Sequence, residues 1–295
     1  MLSITPRILA GALLLSSLVV AGCGDSGGSG GMPDQYQFGG DRPVFLNVPT
    51  TYDNSVPTPL LVVLHGFGAN AYTQLAYTKL DQLVEEQGIL MVAPEGTTDQ
   101  DGKQFWNATD ACCDFYDTGV DDVAYISGLI EDISAVWNVD PARVYIFGHS
   151  NGGYMAYRMA CDRANLISAI VSLAGATYLD TTACDPSADV SVLQIHGTAD
   201  NMVPYDGGTY APGAVRSTEI WAGYDGCTGQ LSSGDRMLDL DSSLAGDETT
   251  VQSWGGCPSG TGVELWTIDG GGHIPTVTDD FRSQVWGFLA AHPRN

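Results

Sequence analysis

Apolar residues fall into short continuous runs, separated by longer stretches in which they recur every three or four positions. Pro59 to Leu64, Ile89 to Ala93, Arg143 to Phe147, Ala169 to Leu173, Val190 to Ile195 and Val263 to Ile268 read as strands. Pro59 to Leu64 and Ile89 to Ala93 lack the polar alternation of a half-exposed strand, as burial on both faces requires. Helical recurrence appears over Tyr72 to Gln87, Val120 to Trp137, Asn151 to Cys161, Val215 to Tyr224 and Asp280 to Ala290. Gly88 is placed to cap the first of these and Pro94 to stop the strand that follows. Strands alternating with helices predict an α/β protein with a mostly parallel central sheet and helices on both faces. Ligands in such sheets bind at the carboxyl ends of the strands. Glu95 to Thr118 and Cys227 to Thr250 break the alternation and are expected to be loops.

Composition limits the partners. The 295 residues carry 11 Lys and Arg against 35 Asp and Glu, a formal net charge of −24. So acidic a surface repels nucleic acid and anionic membrane faces. Arg7 precedes the apolar run Ile8 to Val20, too short to span a bilayer as a helix, so residues 1–22 read as a signal peptide. Val20-Ala21-Gly22-Cys23 resembles the lipobox of bacterial lipoproteins, which implies cleavage before Cys23 and lipidation of its sulfur. Residues 23–38 include a Gly/Ser stretch with no means of packing and read as a tether. Residues 39–295 are then expected to form a single domain. The expected location is the cell envelope through that anchor, or the exterior. Six cysteines remain, an even count that in an exported chain argues for disulfides. Cys227 and Cys257 lie in similar Gly-rich turns and are expected to pair. Cys112, Cys113, Cys161 and Cys184 can pair as neighbours plus Cys161–Cys184, or crosswise. No spacing suits a metal.

The chemistry concentrates at strand ends. Gly148-His149-Ser150-Asn151-Gly152 fits G-x-S-x-G between a strand and a helix, the context that the motif requires. The turn is sharp enough that side chains two residues either side would collide. A serine hydroxyl needs a base, and in this arrangement the order is Ser, acid, His. His273, in the Gly-rich loop after Val263–Ile268, is the candidate base. Asp200, in the loop after Val190–Ile195, is the candidate acid that orients it. An oxyanion needs two backbone donors. These are the N–H groups of Asn151 and of Phe67, the latter in His65-Gly-Phe-Gly after an earlier strand. Trp106 and His65 are candidate substrate contacts, with core packing of Trp106 and a structural His65 as the competing readings.

Together His65-Gly-Phe-Gly, Phe105-Trp106-Asn107-Ala108 with Cys112-Cys113, Val120-Asp-Asp-Val, the Ser150 elbow, His196-Gly-Thr-Ala-Asp and Gly270-Gly-Gly-His273 resemble the esterase family of poly(3-hydroxybutyrate) depolymerases and feruloyl esterases. The resemblance covers roughly residues 40 to 292. It implies the α/β-hydrolase fold, hydrolysis of carboxylic esters through an acyl-enzyme, no metal or organic cofactor, and Ser150, Asp200 and His273 as the triad. The substrates it implies are hydroxyalkanoate oligomers or feruloyl-type polysaccharide esters. A peptidase of the same fold and a non-catalytic surface lipoprotein are the alternatives.

Overall fold

The computed structural model describes residues 36–258 and 260–294. The expected signal peptide and Cys23 lie outside the described residues, as does most of the tether. Eight strands form the main sheet: β1 (Thr58–Leu64), β2 (Leu90–Val92), β3 (Val139–His149), β4 (Ala169–Leu173), β5 (Ser191–Gly197), β6 (Leu231–Leu238), β7 (Thr249–Trp254) and β8 (Val263–Ile268). Their spatial order is β6-β7-β8-β5-β4-β3-β1-β2. The six strands from β8 to β2 are parallel, and β6 and β7 add an antiparallel edge. The helices are α1 (Ala71–Thr78), α2 (Leu83–Gln87), α3 (Asp122–Val136), α4 (Asn151–Asp162), α5 (Ala214–Tyr224) and α6 (Phe281–Ala291). The chain has the α/β-hydrolase fold.

Strand alternation divides the core. Leu60, Val62 and Leu64 of β1 pack in the cluster that holds α3, α4 and Trp221 of α5. Leu61 and Val63 face the opposite cluster, with Leu83 of α2 and with Phe281, Val285 and Leu289 of α6. All five β1 side chains are at most 1% exposed. Each such aliphatic side chain contributes roughly 1.5–3 kcal/mol by leaving water.

Two expectations are corrected. Residues 227–250 hold β6 and the start of β7 rather than a loop alone. The polar face of β6 is exposed, so no apolar run announces it. The Tyr72–Gln87 helix breaks at Lys79, which adopts a left-handed φ of 54°, before a short 3-10 turn leads into α2. The cysteines pair as Cys112–Cys113, Cys161–Cys184 and Cys227–Cys257.

Candidate active site

The turn from β3 into α4 is built by steric exclusion. Ser150 sits at φ 54° and ψ −119°, which a non-glycine residue adopts only when its surroundings impose it. A Cβ on Gly148 would lie 1.9 Å from the carbonyl oxygen of Gly152, and one on Gly152 would lie 2.3 Å from that of Leu64. Either contact would force the turn open. The Ser150 N–H is held by the Leu173 carbonyl, 2.8 Å away at the end of β4.

Three strand ends converge there. His273 Nε2 lies 2.9 Å from Ser150 Oγ, and His273 Nδ1 lies 2.7 Å from Asp200 Oδ2. Asp200 Oδ1 accepts from the N–H groups of Met202 and Val203, both at 2.9 Å. Burial works against this carboxylate, but hydrogen bonds from His196, His273 and Val203 outweigh it. They hold Asp200 ionised, well below the usual carboxylate range. With Asp200 ionised, Nδ1–H donates to it, which leaves Nε2 to take a proton from Ser150. The structure thus brings together the three side chains expected from sequence.

The loop after β1 lies against the same turn: a Cβ on Gly66 would be 3.4 Å from Ser150 Cβ. The N–H of Phe67 in that loop meets no acceptor among the described residues. Asn151 is the first residue of α4, so its N–H has no acceptor within the helix. Neither N–H group expected to meet an oxyanion is therefore engaged by another acceptor among the described residues. The Phe67 ring is 37% exposed and packs edge-on against the exposed Phe115, with ring centroids 5.3 Å apart.

His65 and Trp106 do not meet the expectation of substrate contact. Both are fully buried. His65 Nε2 accepts from the Gly96 N–H, so Nδ1–H donates to the Gly66 carbonyl, and burial lowers its pKa. Trp106 Nε1–H donates to the His65 carbonyl. These rings tie the loops around the site to each other. The loop carrying Trp106 is tied to the elbow by Asn151, whose amide accepts from the Trp106 N–H and donates to the Trp106 carbonyl.

Other contributors are not evident in a linear motif. His149 Nε2–H donates to the His273 carbonyl at 3.1 Å, and burial lowers the His149 pKa to about 4, so the ring stays neutral. Tyr77 donates to the Pro275 carbonyl, and Asp241 accepts from the Thr276 N–H. These three hold the loop that presents His273. His149 occupies the variable second position of the pentapeptide, which is the one signal that could have drawn attention to it. A depression of about 280 Å³ adjoins the site, lined by Tyr154 one turn beyond Ser150, by Met202 and Val203, and by Ala111 and Tyr210. Among the described residues no group of three or more His, Cys, Asp or Glu is arranged to hold a metal ion.

The chain as a whole is similar to known proteins. A family model described as phospholipase/carboxylesterase matches residues 50–218. Feruloyl esterase B of Piromyces equi is 27% identical over 79% of this chain, which spans 42% of that protein. The bifunctional acetylxylan esterase/xylanase XynS20E of Neocallimastix patriciarum is 26% identical over 85% of this chain, which spans 33% of its length. The chain thus spans less than half the length of both. Among solved structures, an acetyl xylan esterase from Aspergillus awamori superposes with a TM-score of 0.59 at 14% identity, covering 84% of this chain and 94% of that one. Esterase PE8 superposes with a TM-score of 0.53 at 17% identity, covering 84% and 97%. At these identities the superpositions report the fold alone.

Proposed function

The chain belongs to the phospholipase/carboxylesterase family, and from that premise we propose that it is a carboxylic ester hydrolase, an exported serine esterase that works through an acyl-enzyme on Ser150. The observation that carries this reading is the unbroken hydrogen-bond chain from Ser150 through His273 to Asp200. Ser150 Oγ attacks the ester carbonyl carbon while His273 Nε2 takes its proton. The developing oxyanion is met by the N–H groups of Phe67 and Asn151, each such donor contributing about 10²–10³ in rate. His273 then returns the proton to the leaving alcohol, and water repeats the sequence to release the acid.

The substrates we propose are feruloyl-type polysaccharide esters or hydroxyalkanoate oligomers. The feruloyl arm draws the stronger support, because feruloyl esterase B of Piromyces equi and feruloyl esterase C of Emericella nidulans align with this chain. The aromatic Phe67–Phe115 pair and the depression beside Tyr154 are suited to an uncharged, partly apolar ester. Lipidation at Cys23 would anchor the enzyme to the cell envelope. A fluorophosphonate is expected to label the protein and leave Ser150→Ala unlabelled; labelling that persists in the variant overturns the assignment. Turnover of methyl ferulate and of hydroxybutyrate oligomers, compared at equal concentration, decides between the substrate arms. The mass of the mature N-terminus tests processing before Cys23.

A further inference from the structure

Behind the proposed triad runs a second buried chain of polar groups. Tyr157 O–H donates to Gln194 Oε1 at 2.9 Å. The Gln194 amide nitrogen lies 2.9 Å from the Gly175 carbonyl and 2.9 Å from His196 Nδ1. An amide nitrogen only donates, so Nδ1 of His196 is an acceptor and the ring proton sits on Nε2. That N–H faces the Val203 carbonyl at 2.8 Å and Asp200 Oδ2 at 3.3 Å. Oδ2 is the same oxygen that accepts from His273 Nδ1. All of Tyr157, Gln194 and His196 are at most 1% exposed, so these side chains are shielded from solvent.

We propose that His196 is a positioning residue that shares Asp200 Oδ2 with His273 and thereby tempers the basicity of His273, with Gln194 fixing the tautomer that makes the sharing attractive. An oxygen donating electron density to two N–H groups offers less to each. A His196 ring in the other tautomer would turn a lone pair toward both Oδ2 and the Val203 carbonyl. The backbone bonds to Oδ1 keep Asp200 oriented independently. What His196 governs is therefore charge on Oδ2 more than the placement of the carboxylate. The other titratable groups facing this cluster are His149, whose ring centroid lies 5.4 Å from that of His273, Tyr154 and Tyr157 on α4, and Tyr205, whose ring packs edge-on against His196. His149 is neutral above about pH 4, and burial raises Tyr154, Tyr157 and Tyr205, so none of the four changes charge across the range where an imidazole base titrates.

This inference rests on the serine mechanism proposed above, and the test separates the two. The acid limb of kcat/KM for a short nitrophenyl ester is measured for the wild type, His196→Phe and His196→Gln. His196→Phe removes the donor, and its limb is expected to move to higher pH by about half a unit or more, roughly a threefold rise in the proton affinity of His273. His196→Gln keeps an N–H within reach of Oδ2 and is expected to restore the wild-type limb. A limb that stays in place or moves down in His196→Phe, or one that moves equally in both variants, overturns the inference. In the wild type, imidazole nitrogen NMR is expected to find His196 as the Nε2–H tautomer, its proton resonance shifting as His273 titrates. The Nδ1–H tautomer, or a resonance indifferent to His273, overturns it too, even if His196→Phe fails to fold. A wild-type enzyme that no fluorophosphonate labels would fail the serine reading instead.

Discussion

The Ser150 elbow and the His273 loop meet at two hydrogen bonds but are held in place by different means. The elbow is fixed by backbone against backbone: Gly148 on Gly152, Gly152 on Leu64, and Gly66 beside Ser150. The His273 loop begins with a backbone contact too, Gly197 on Gly271, but around His273 itself it is held by side chains: His149 from the elbow, and Tyr77, Asp241 and Asp200 from other loops and helices. Steric exclusion is all-or-none, whereas each tether is a separate hydrogen bond of about 0.5–1.5 kcal/mol. Damage to the elbow should therefore abolish the site, and damage to the loop should degrade it in steps.

The sharpest break in that contrast is Gly152→Ala. Its added methyl cannot fit beside the Leu64 carbonyl, and we expect no labelled, soluble enzyme on expression. Next in size is Asp200→Asn, which keeps the shape but presents an amide to His273 Nδ1. The same change in a serine-protease triad lowers kcat by about 10⁴, and a drop of that order is expected here, with labelling slowed in parallel. Tyr77→Phe removes one tether. It should lower the melting temperature by a few degrees and kcat by about tenfold or less, with KM little changed. A loss as large as that of Asp200→Asn would show that the loop is as unforgiving as the elbow.

The smallest expected effect on activity lies away from both regions. Burial raises the Asp225 carboxyl to about 8, and its Oδ2 has no partner. The folded state binds this proton more tightly than the unfolded chain. The contribution is thus undiminished below the ordinary carboxylate pKa and is lost as pH rises toward about 8. The wild type should melt at a lower temperature at pH 8 than at pH 5. Asp225→Asn, neutral throughout, should narrow that gap; an equal gap in both proteins would locate the pH dependence elsewhere.

The same contrast explains what can be read from residues alone. The elbow is legible because exclusion leaves a local mark, glycines at fixed spacing around Ser150. Asp200 and His273 are legible because each follows an apolar run that had to be a strand. The tethers leave no such mark: Tyr77 and Asp241 reach Pro275 and Thr276 across about 200 and 35 residues of sequence. His65 and Trp106 mislead for a related reason. Their position after strand ends is visible in the chain, but their burial is decided by loops that fold over them. β6 is silent in the sequence because its side chains are mostly exposed and polar.

That last strand has a consequence for how molecules of this protein meet one another. β6 is the outer edge of the sheet, where unpaired backbone groups invite a strand from another chain. Its register with β7 shifts between Ser233 and Met237, and Gly234, Asp235 and Arg236 stand exposed at that irregularity. A straight strand laid along this edge would lose its ladder halfway and meet charged groups. The opposite edge, β2, is three residues long, and Asn47 already exchanges both backbone hydrogen bonds with its central Met91. Crowded on a surface, neighbouring copies would find neither border of the sheet ready for strand-by-strand assembly.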